Sequence, residues 1–157
     1  MTKYEKLAQL LNTKLEPFIV ELQGEGDELT LICNPKDILK VLNTLKKTAG
    51  FKFDELIDVC GVDYLNYGLG DWETTTATED GFSRGVEAHI EKTMKVTHPR
   101  FAVVYHLLST QLNQRLRVKA FLHEDNLVID SAVGVWKSAN WFERETYDLY
   151  GILFDGH

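Results

Sequence analysis

Two segments with alternating apolar residues constrain the fold of this 157-residue chain more than any other feature. Every second side chain in residues 100–109 and 116–123 is apolar, a pattern typical of strands with one buried face. The side chains that would share this face are Val103, Tyr105, Leu107, Leu116, Val118, Ala120 and Leu122. Because a short polar linker joins the two segments, we predict an antiparallel hairpin with one wetter face.

The other periodic segments predict helices that pack against this sheet. The predicted helices cover residues 3–12, 35–48 and 141–150. Further strands are predicted at 17–23, 28–33 and 53–65. The segment 126–136 is predicted to begin as a strand and to turn helical near Ala132. We therefore predict an α+β fold, a mostly antiparallel sheet packed by helices in two layers, without a parallel βαβ series. We expect residues 1–157 to form one domain with a polar insertion at about 66–99, partly helical around 83–94.

Composition excludes several functional classes. The net charge of −7 argues against nucleic-acid binding, which depends on Lys and Arg neutralising phosphates. No apolar run approaches the roughly 18 residues that a membrane-spanning helix needs, so we expect no direct membrane insertion. Cys33 and Cys60 are too few and too far apart for an iron–sulfur cluster or a structural zinc site. We expect both thiols to be small core residues in a reducing compartment.

The end of the chain, WFERETYDLYGILFDGH (residues 141–157), concentrates charged and aromatic side chains. Asn140 with Glu143 three residues later matches a capping box, and Gly151 suits the end of a helix in the left-handed conformation. The predicted apolar stripe of this helix is Phe142, Thr146 and Leu149.

Three functions are compatible with this terminal helix. Glu145 and Asp148 could form a carboxylate pair for acid–base catalysis, although acidic pairs are more often a solvated face. Asp148, Asp155 and His157 offer metal ligands, but without the spacing of a recognised motif. The corresponding alternative function is a free-standing hydrolase or metal-dependent enzyme, using the cluster Glu143, Glu145, Asp148 and His157.

The third function is docking to another protein. Six aromatic residues lie within residues 136–154, and aromatic residues and arginine are enriched at the centres of interfaces. Arg144 and Asp148 are close enough on a helix to pair, which would orient the guanidinium for a partner. The alternative is that the rings simply build the core of the domain.

The segment ERETYDLYGILFDGH closely resembles the signature of the 30-kDa subunit family of respiratory complex I, whose bacterial members belong to NADH–quinone oxidoreductase. That signature is Glu-Arg-Glu, two variable residues, an acid, two apolar or aromatic residues, six variable residues and a basic residue. The matching positions are Glu143, Arg144, Glu145, Asp148, Leu149, Tyr150 and His157. The segments FDELIDVCGVDYL, RFAVVYHLLS and SAVGVWKSANWFERE also resemble the family, so the likeness covers about residues 28–157.

The resemblance implies a subunit of the hydrophilic arm, next to the large subunit that forms the quinone pocket. It implies no cofactor on this chain, with NAD, FMN, iron–sulfur clusters and quinone bound elsewhere in the complex. It implies a peripheral position on the cytoplasmic face of the bacterial inner membrane. The family pattern continues beyond the final histidine, so we expect a further C-terminal segment. The residues expected at the partner interface are Glu143, Arg144, Glu145, Tyr147, Asp148, Tyr150, Gly151 and His157.

Overall fold

The computed structural model describes residues 2–25, 28–67 and 97–157. Its helices are α1 (Lys3–Leu15), α2 (Ile38–Lys47) and α3 (Ala139–Tyr150). Its strands are β1 (Ile19–Glu25), β2 (Glu28–Cys33), β3 (Glu55–Asp63), β4 (Phe101–Ser109), β5 (Gln114–Leu122), β6 (Val128–Asp130) and β7 (Leu153–Asp155). The predicted helical stretch around 83–94 and most of the predicted insertion lie outside the described residues.

A mixed sheet organises the described part of the chain. Its strand order is β1-β2-β5-β4-β3, and β6 pairs separately with β7. The pairs β1–β2, β4–β5 and β3–β4 are antiparallel, whereas β2–β5 and β6–β7 are parallel. The predicted α+β class, its mostly antiparallel sheet and the hairpin of β4 with β5 are therefore confirmed.

The core lies on one face of this sheet, beneath α1 and α2. Val103, Tyr105 and Val118 from the central strands are fully buried there, as the alternation predicts. The helices contribute an apolar stripe each, formed by Leu7, Leu11, Leu15, Ile38, Val41, Leu42 and Leu45. Each such side chain stabilises the fold by about 1.5–3 kcal/mol when fully buried.

The opposite face of the sheet, here called the outer face, is more polar. His106, Arg117 and Lys119 lie on it and are only partly buried. Cys33 is buried in the core as expected, but the same expectation for Cys60 is wrong, because Cys60 is half-buried on the outer face. Its neighbour Val59 faces the core, and successive residues of a strand point to opposite faces.

The capping box predicted near the end of the chain is also wrong. Helix α3 begins at Ala139 after Ser138, and no capping box joins Asn140 to Glu143, because the Glu143 carboxylate binds elsewhere. Residues after Ala132 form one helical turn, in which the Trp136 N–H donates to the Ala132 carbonyl at 2.9 Å, without extending into a helix. Gly151 ends α3 with φ of 71°, as predicted.

Side chains from α3 and the segment before it donate to backbone carbonyls of β3, an edge strand of the sheet, and of Asp54 immediately before it. The donors and acceptors are Trp136 Nε1 to Asp54 O, Ser138 Oγ to Leu56 O and Thr146 Oγ1 to Val59 O, each at 3.2 Å. The acceptor residues are two apart from Asp54 to Leu56 but three apart from Leu56 to Val59, because the register of β3 shifts between Leu56 and Asp58. An open edge is a template for unwanted pairing, so these contacts also protect the sheet.

Gly61 on β3 lets α3 approach the sheet closely. A Cβ atom at this position would lie 2.5 Å from Cδ2 of Tyr150 and 3.0 Å from Cγ2 of Thr146. Both contacts are too short for carbon atoms, so a larger residue must displace the Tyr150 ring or move α3 away from the sheet.

A bidentate ion pair joins the two ends of the predicted insertion. Arg100 Nε and Nη2 donate to the two carboxylate oxygens of Asp63, each at 2.8 Å, and the Tyr64 N–H donates to the Arg100 carbonyl at 2.8 Å. The Arg100 guanidinium lowers the pKa of the Asp63 carboxyl from 3.8 to about 2.

We expect Gly61→Ala to reduce the free energy of unfolding by about 1–3 kcal/mol, because overpacking at Tyr150 forces α3 away from β3. The matched control is Gly134→Ala, where an added Cβ meets nothing within 4 Å. Urea denaturation of both variants checks this. Equal stability of the two variants would contradict the close packing of α3.

The Asp63–Arg100 pair predicts a pH-dependent contribution to stability. Because the folded-state pKa is depressed, the contribution is complete above the unfolded value near 3.8 and is lost as the pH falls toward 2. Asp63→Asn should therefore destabilise the chain at neutral pH and match the wild type at the acid end. Thermal melts from pH 7 to pH 2 measure this, with Asp125→Asn as an exposed control. A stability difference that stays constant with pH would refute the ion-pair contribution.

Candidate functional site

The carboxylate of Glu143 lies at the centre of the terminal region. Its side chain is fully buried, and it accepts hydrogen bonds from Ser131 Oγ at 2.7 Å and from the Ala132 N–H at 2.6 Å. His157 Nδ1 lies 2.9 Å from the same carboxylate. Glu143 therefore joins α3 to the segment after β6 and to the last residue of the chain.

The burial of Glu143 changes its predicted role. A buried carboxylate is retained only when its oxygens are paired or hydrogen-bonded, and here both oxygens are engaged within the chain. Glu143 therefore does not present its side chain to a partner in this structure, contrary to the expectation for this position. It fixes the orientation of the helix whose other side is exposed.

The remaining charged residues of the signature point outward. Arg144, Glu145 and Asp148 are all exposed. Among the described residues Arg144 forms no ion pair, so the expected Arg144–Asp148 pair is absent from this part of the chain. Residues at this spacing on a helix do neighbour each other, but an exposed pair gains little in water and costs side-chain entropy.

Large apolar side chains share this outward side of α3. Trp141 is 75% exposed, Leu149 69% and Tyr147 52%. These three residues and Arg144 are here called the α3 outer face. The expectation that Leu149 belongs to the core is wrong, because the buried side of α3 consists of Ala139, Glu143 and Thr146, with Phe142 and Tyr150 partly buried.

A cleft of about 260 Å³ lies between α3 and the segment that follows it. It is lined by Glu143, Arg144, Tyr147, Leu153, Phe154 and His157. Leu153, which is 47% exposed, extends the apolar surface beyond the α3 outer face. The cleft is therefore a shallow, mostly apolar recess with one exposed cation at its rim.

The geometry does not assemble the enzyme site that the sequence leaves open. Glu143 and His157 come together, but Glu145 and Asp148 lie on the exposed side of α3, away from them. Asp148, Asp155 and His157 do not form a group with metal-ligand spacing in the described part of the chain. Of the predicted site residues, Tyr150 and Gly151 act within the fold, in packing and in helix termination.

Sequence reasoning missed the internal partners of α3. Ser131 and Ala132 lie 12 and 11 residues before Glu143, a separation that carries no periodic pattern. Gly61 did leave a signal, because an isolated glycine inside a predicted strand often marks the close approach of another segment.

Comparison with known protein families agrees with the family resemblance of the terminal segment. Residues 31–157 match the family model described as respiratory-chain NADH dehydrogenase, 30 Kd subunit. The chain is 57% identical over 157 residues to the NADH-quinone oxidoreductase subunit designated C of Legionella pneumophila (strain Corby), covering all of this chain and 69% of that protein. It is 42% identical over 158 residues to the protein of the same name from Coxiella burnetii (strain RSA 331 / Henzerling II), with 100% and 70% coverage.

Solved structures share the fold. A trypsin-resistant fragment (1-134) of Nqo5 superimposes with a TM-score of 0.71 at 23% identity, covering 99% of this chain and 98% of that one. A chain from the membrane-bound sulfane sulfur reductase, an archaeal respiratory membrane complex, gives a TM-score of 0.69 at 18% identity, with 99% and 72% coverage. At these identities the likeness concerns the fold alone.

We expect Glu143→Ala to reduce the free energy of unfolding by about 3 kcal/mol, because it leaves the buried Ser131 and Ala132 donors without an acceptor. Glu143→Gln should cost less, since its amide oxygen still accepts one hydrogen bond. The control is Glu145→Ala on the exposed side of the same helix, which should stay within about 0.5 kcal/mol of the wild type. If Glu143→Ala and Glu145→Ala were equally stable, the carboxylate would not hold the terminal region together.

Proposed function

The chain belongs to the family of the 30-kDa subunit of respiratory-chain NADH dehydrogenase, and we propose that within that complex it is a docking subunit without a redox cofactor. As a member of this family it is a subunit of an NADH–quinone oxidoreductase and partners with other subunits of complex I.

The α3 outer face is the proposed docking surface, and its exposure is the observation that carries this proposal. Trp141, Leu149 and Tyr147 are exposed on the side of α3 that also carries Arg144. Trp, Tyr and Arg dominate binding energy at interfaces, and this exposed side of α3 carries one of each. Because Glu143 and Thr146 hold the other side of α3, these side chains are presented on a rigid helix, which lowers the entropy cost of binding.

The proposed neighbour is the large subunit that forms the quinone pocket. Arg144 has no ion pair within the described residues, so its guanidinium is free to bind a carboxylate of that subunit. Glu145 and Asp148 flank it as acceptors for basic groups of the partner. Contact with this neighbour would give the chain a role in assembling the hydrophilic arm.

We assign no electron-transfer step to this chain. Its cysteines are Cys33, which is buried in the core, and Cys60, which lies on the other face of the sheet, whereas iron–sulfur clusters usually need four cysteines. In the parent complex, electrons would pass from NADH through flavin and iron–sulfur clusters of other subunits to quinone, coupled to proton translocation. The visible spectrum of the purified chain tests this, and a flavin or iron–sulfur band would contradict it.

The proposed position is peripheral, on the cytoplasmic face of the bacterial inner membrane. Among the described residues no helix is both long enough and apolar enough to cross a bilayer. Attachment to the membrane would then depend on the neighbouring subunits.

We expect Arg144→Glu and Trp141→Ala each to weaken binding to the large quinone-site subunit by about 30-fold or more, the effect of losing an interface hot spot of roughly 2 kcal/mol. Affinity capture of the two co-expressed subunits measures this, and thermal melts of the chain alone should be unchanged, since both side chains are exposed. The matched control is Arg115→Glu, which reverses an exposed arginine on β5.

Two results would contradict the docking surface. If both variants bind the large subunit as well as Arg115→Glu does, the contact lies elsewhere. If Arg144→Glu unfolds the isolated chain while Arg115→Glu does not, Arg144 is an element of the fold.

A further inference from the structure

A second group of functional side chains lies on the outer face of the sheet, away from the cleft at the end of the chain. Asp58 on β3 is the direct cross-strand partner of His106 on β4, and Cys60 follows two residues after Asp58. Residues two apart on a strand share a face, so all three side chains point the same way. Their ligand atoms, one carboxylate oxygen, one imidazole nitrogen and one thiol sulfur, lie within 4.8 Å of one another.

This donor set is one that a divalent transition metal prefers. Zinc binds thiolate sulfur at about 2.3 Å and imidazole nitrogen or carboxylate oxygen at about 2.0–2.2 Å, which places neighbouring ligands of a tetrahedral site about 3.3–3.6 Å apart. The three donors, within 4.8 Å of one another, are therefore at most about 1.2–1.5 Å too far apart, a gap that side-chain rotation closes. A hard cation such as Mg²⁺ or Ca²⁺ is disfavoured, because it prefers oxygen ligands only.

Charges of both signs surround the three donors. Arg117 on β5 is the cross-strand partner of His106, but its guanidinium is engaged on β2, where it donates to Glu28 at 2.9 Å and to Thr30 at 3.3 Å. Within the group itself, Asp58 contributes a carboxylate oxygen as a ligand for a cation.

The donors are also accessible. Asp58, Cys60 and His106 are each partly buried, so an ion can reach them from solvent while the sheet excludes part of its hydration shell. The strands hold the backbone of all three residues, and ligands on strands are better positioned than ligands on loops.

We infer that Asp58, Cys60 and His106 form a three-ligand binding site for Zn²⁺ or a similar divalent transition metal, with a fourth position open to water. Binding releases the thiol proton of Cys60 to solvent and forms the metal–sulfur bond, without oxidation or reduction of either partner. The ion links the edge strand β3 to β4 on the outer face, and because Zn²⁺ is redox-inert it supplies no electron-transfer step. A metal site here departs from the expectation that the chain holds none, and it does not depend on the docking surface of α3.

Cobalt binding to the full chain tests the site. Titration of the metal-free chain with Co²⁺ should give a thiolate-to-cobalt charge-transfer band together with the visible bands of tetrahedral Co²⁺, at about one ion per chain. Zn²⁺ should displace the cobalt and raise the melting temperature, because the ion binds the folded state. Cys60→Ser should abolish the charge-transfer band, and His106→Gln should weaken binding more than about tenfold, since even loss of an outer-shell partner costs that much.

Matched controls separate the site from other thiols and histidines. Cys33→Ser and His123→Gln should keep the band, because neither residue belongs to the cluster. If Cys60→Ser is poorly folded by circular dichroism, Asp58→Asn replaces it and should weaken Co²⁺ binding without removing the thiol. Absence of the band in the folded wild type, or its persistence in Cys60→Ser, would overturn the assignment.

Discussion

The terminal region depends on the hydrogen bonds that the buried carboxylate of Glu143 accepts. It lies in the interior, yet it contacts the segment after β6 through Ser131 and Ala132 and the end of the chain through His157. Burying an ionised group is costly unless its oxygens are satisfied, so the three segments are held in one arrangement by the need to satisfy it. In this way a buried residue determines how α3 packs against the sheet.

From this arrangement follows a division of α3 into two sides with different roles. On the inner side, Gly61 leaves room for Thr146 and Tyr150, and Thr146 binds the free edge of β3. The outer side carries Trp141, Arg144 and Leu149, which contribute little to the packing of the chain itself. Charged and aromatic residues are spread nearly all round α3 because its inner side is fixed to the fold and its outer side is available to another subunit.

Elements with a buried face and a simple period could be predicted from the sequence, and long-range contacts could not. Strands β4 and β5 followed from alternation, since only one of their faces is buried. The parallel pairing of β2 with β5 joins Thr30 to Arg117, and no local pattern encodes a partner so distant. Cys60 was expected in the core from its residue type alone, but beyond the irregularity between Leu56 and Asp58 it is Val59 that faces the core, so Cys60 lies on the outer face.

The prediction that Leu149 lies on the buried side of α3 was wrong because contacts from outside the helix decide which side is buried. Two stripes on α3 have helical spacing, and the one that contains Leu149 is the more hydrophobic. The buried stripe instead contains Glu143, whose burial is tolerated only because Ser131 and Ala132 supply donors from outside the helix. The signature residues could therefore be proposed as a site from their pattern, while the division of α3 into a buried and an exposed side required the structure.

Hydroxyl-radical footprinting of the chain, alone and in the assembled oxidoreductase, tests the central claim most directly. Trp141, Tyr147 and Leu149 should react readily in the isolated chain, since all three are largely exposed, and should become protected in the complex. Protection of these three side chains in the complex is the result that the account predicts. Equal reactivity of Trp141 in both states would contradict it, because the outer side of α3 would then face solvent in the complex as well.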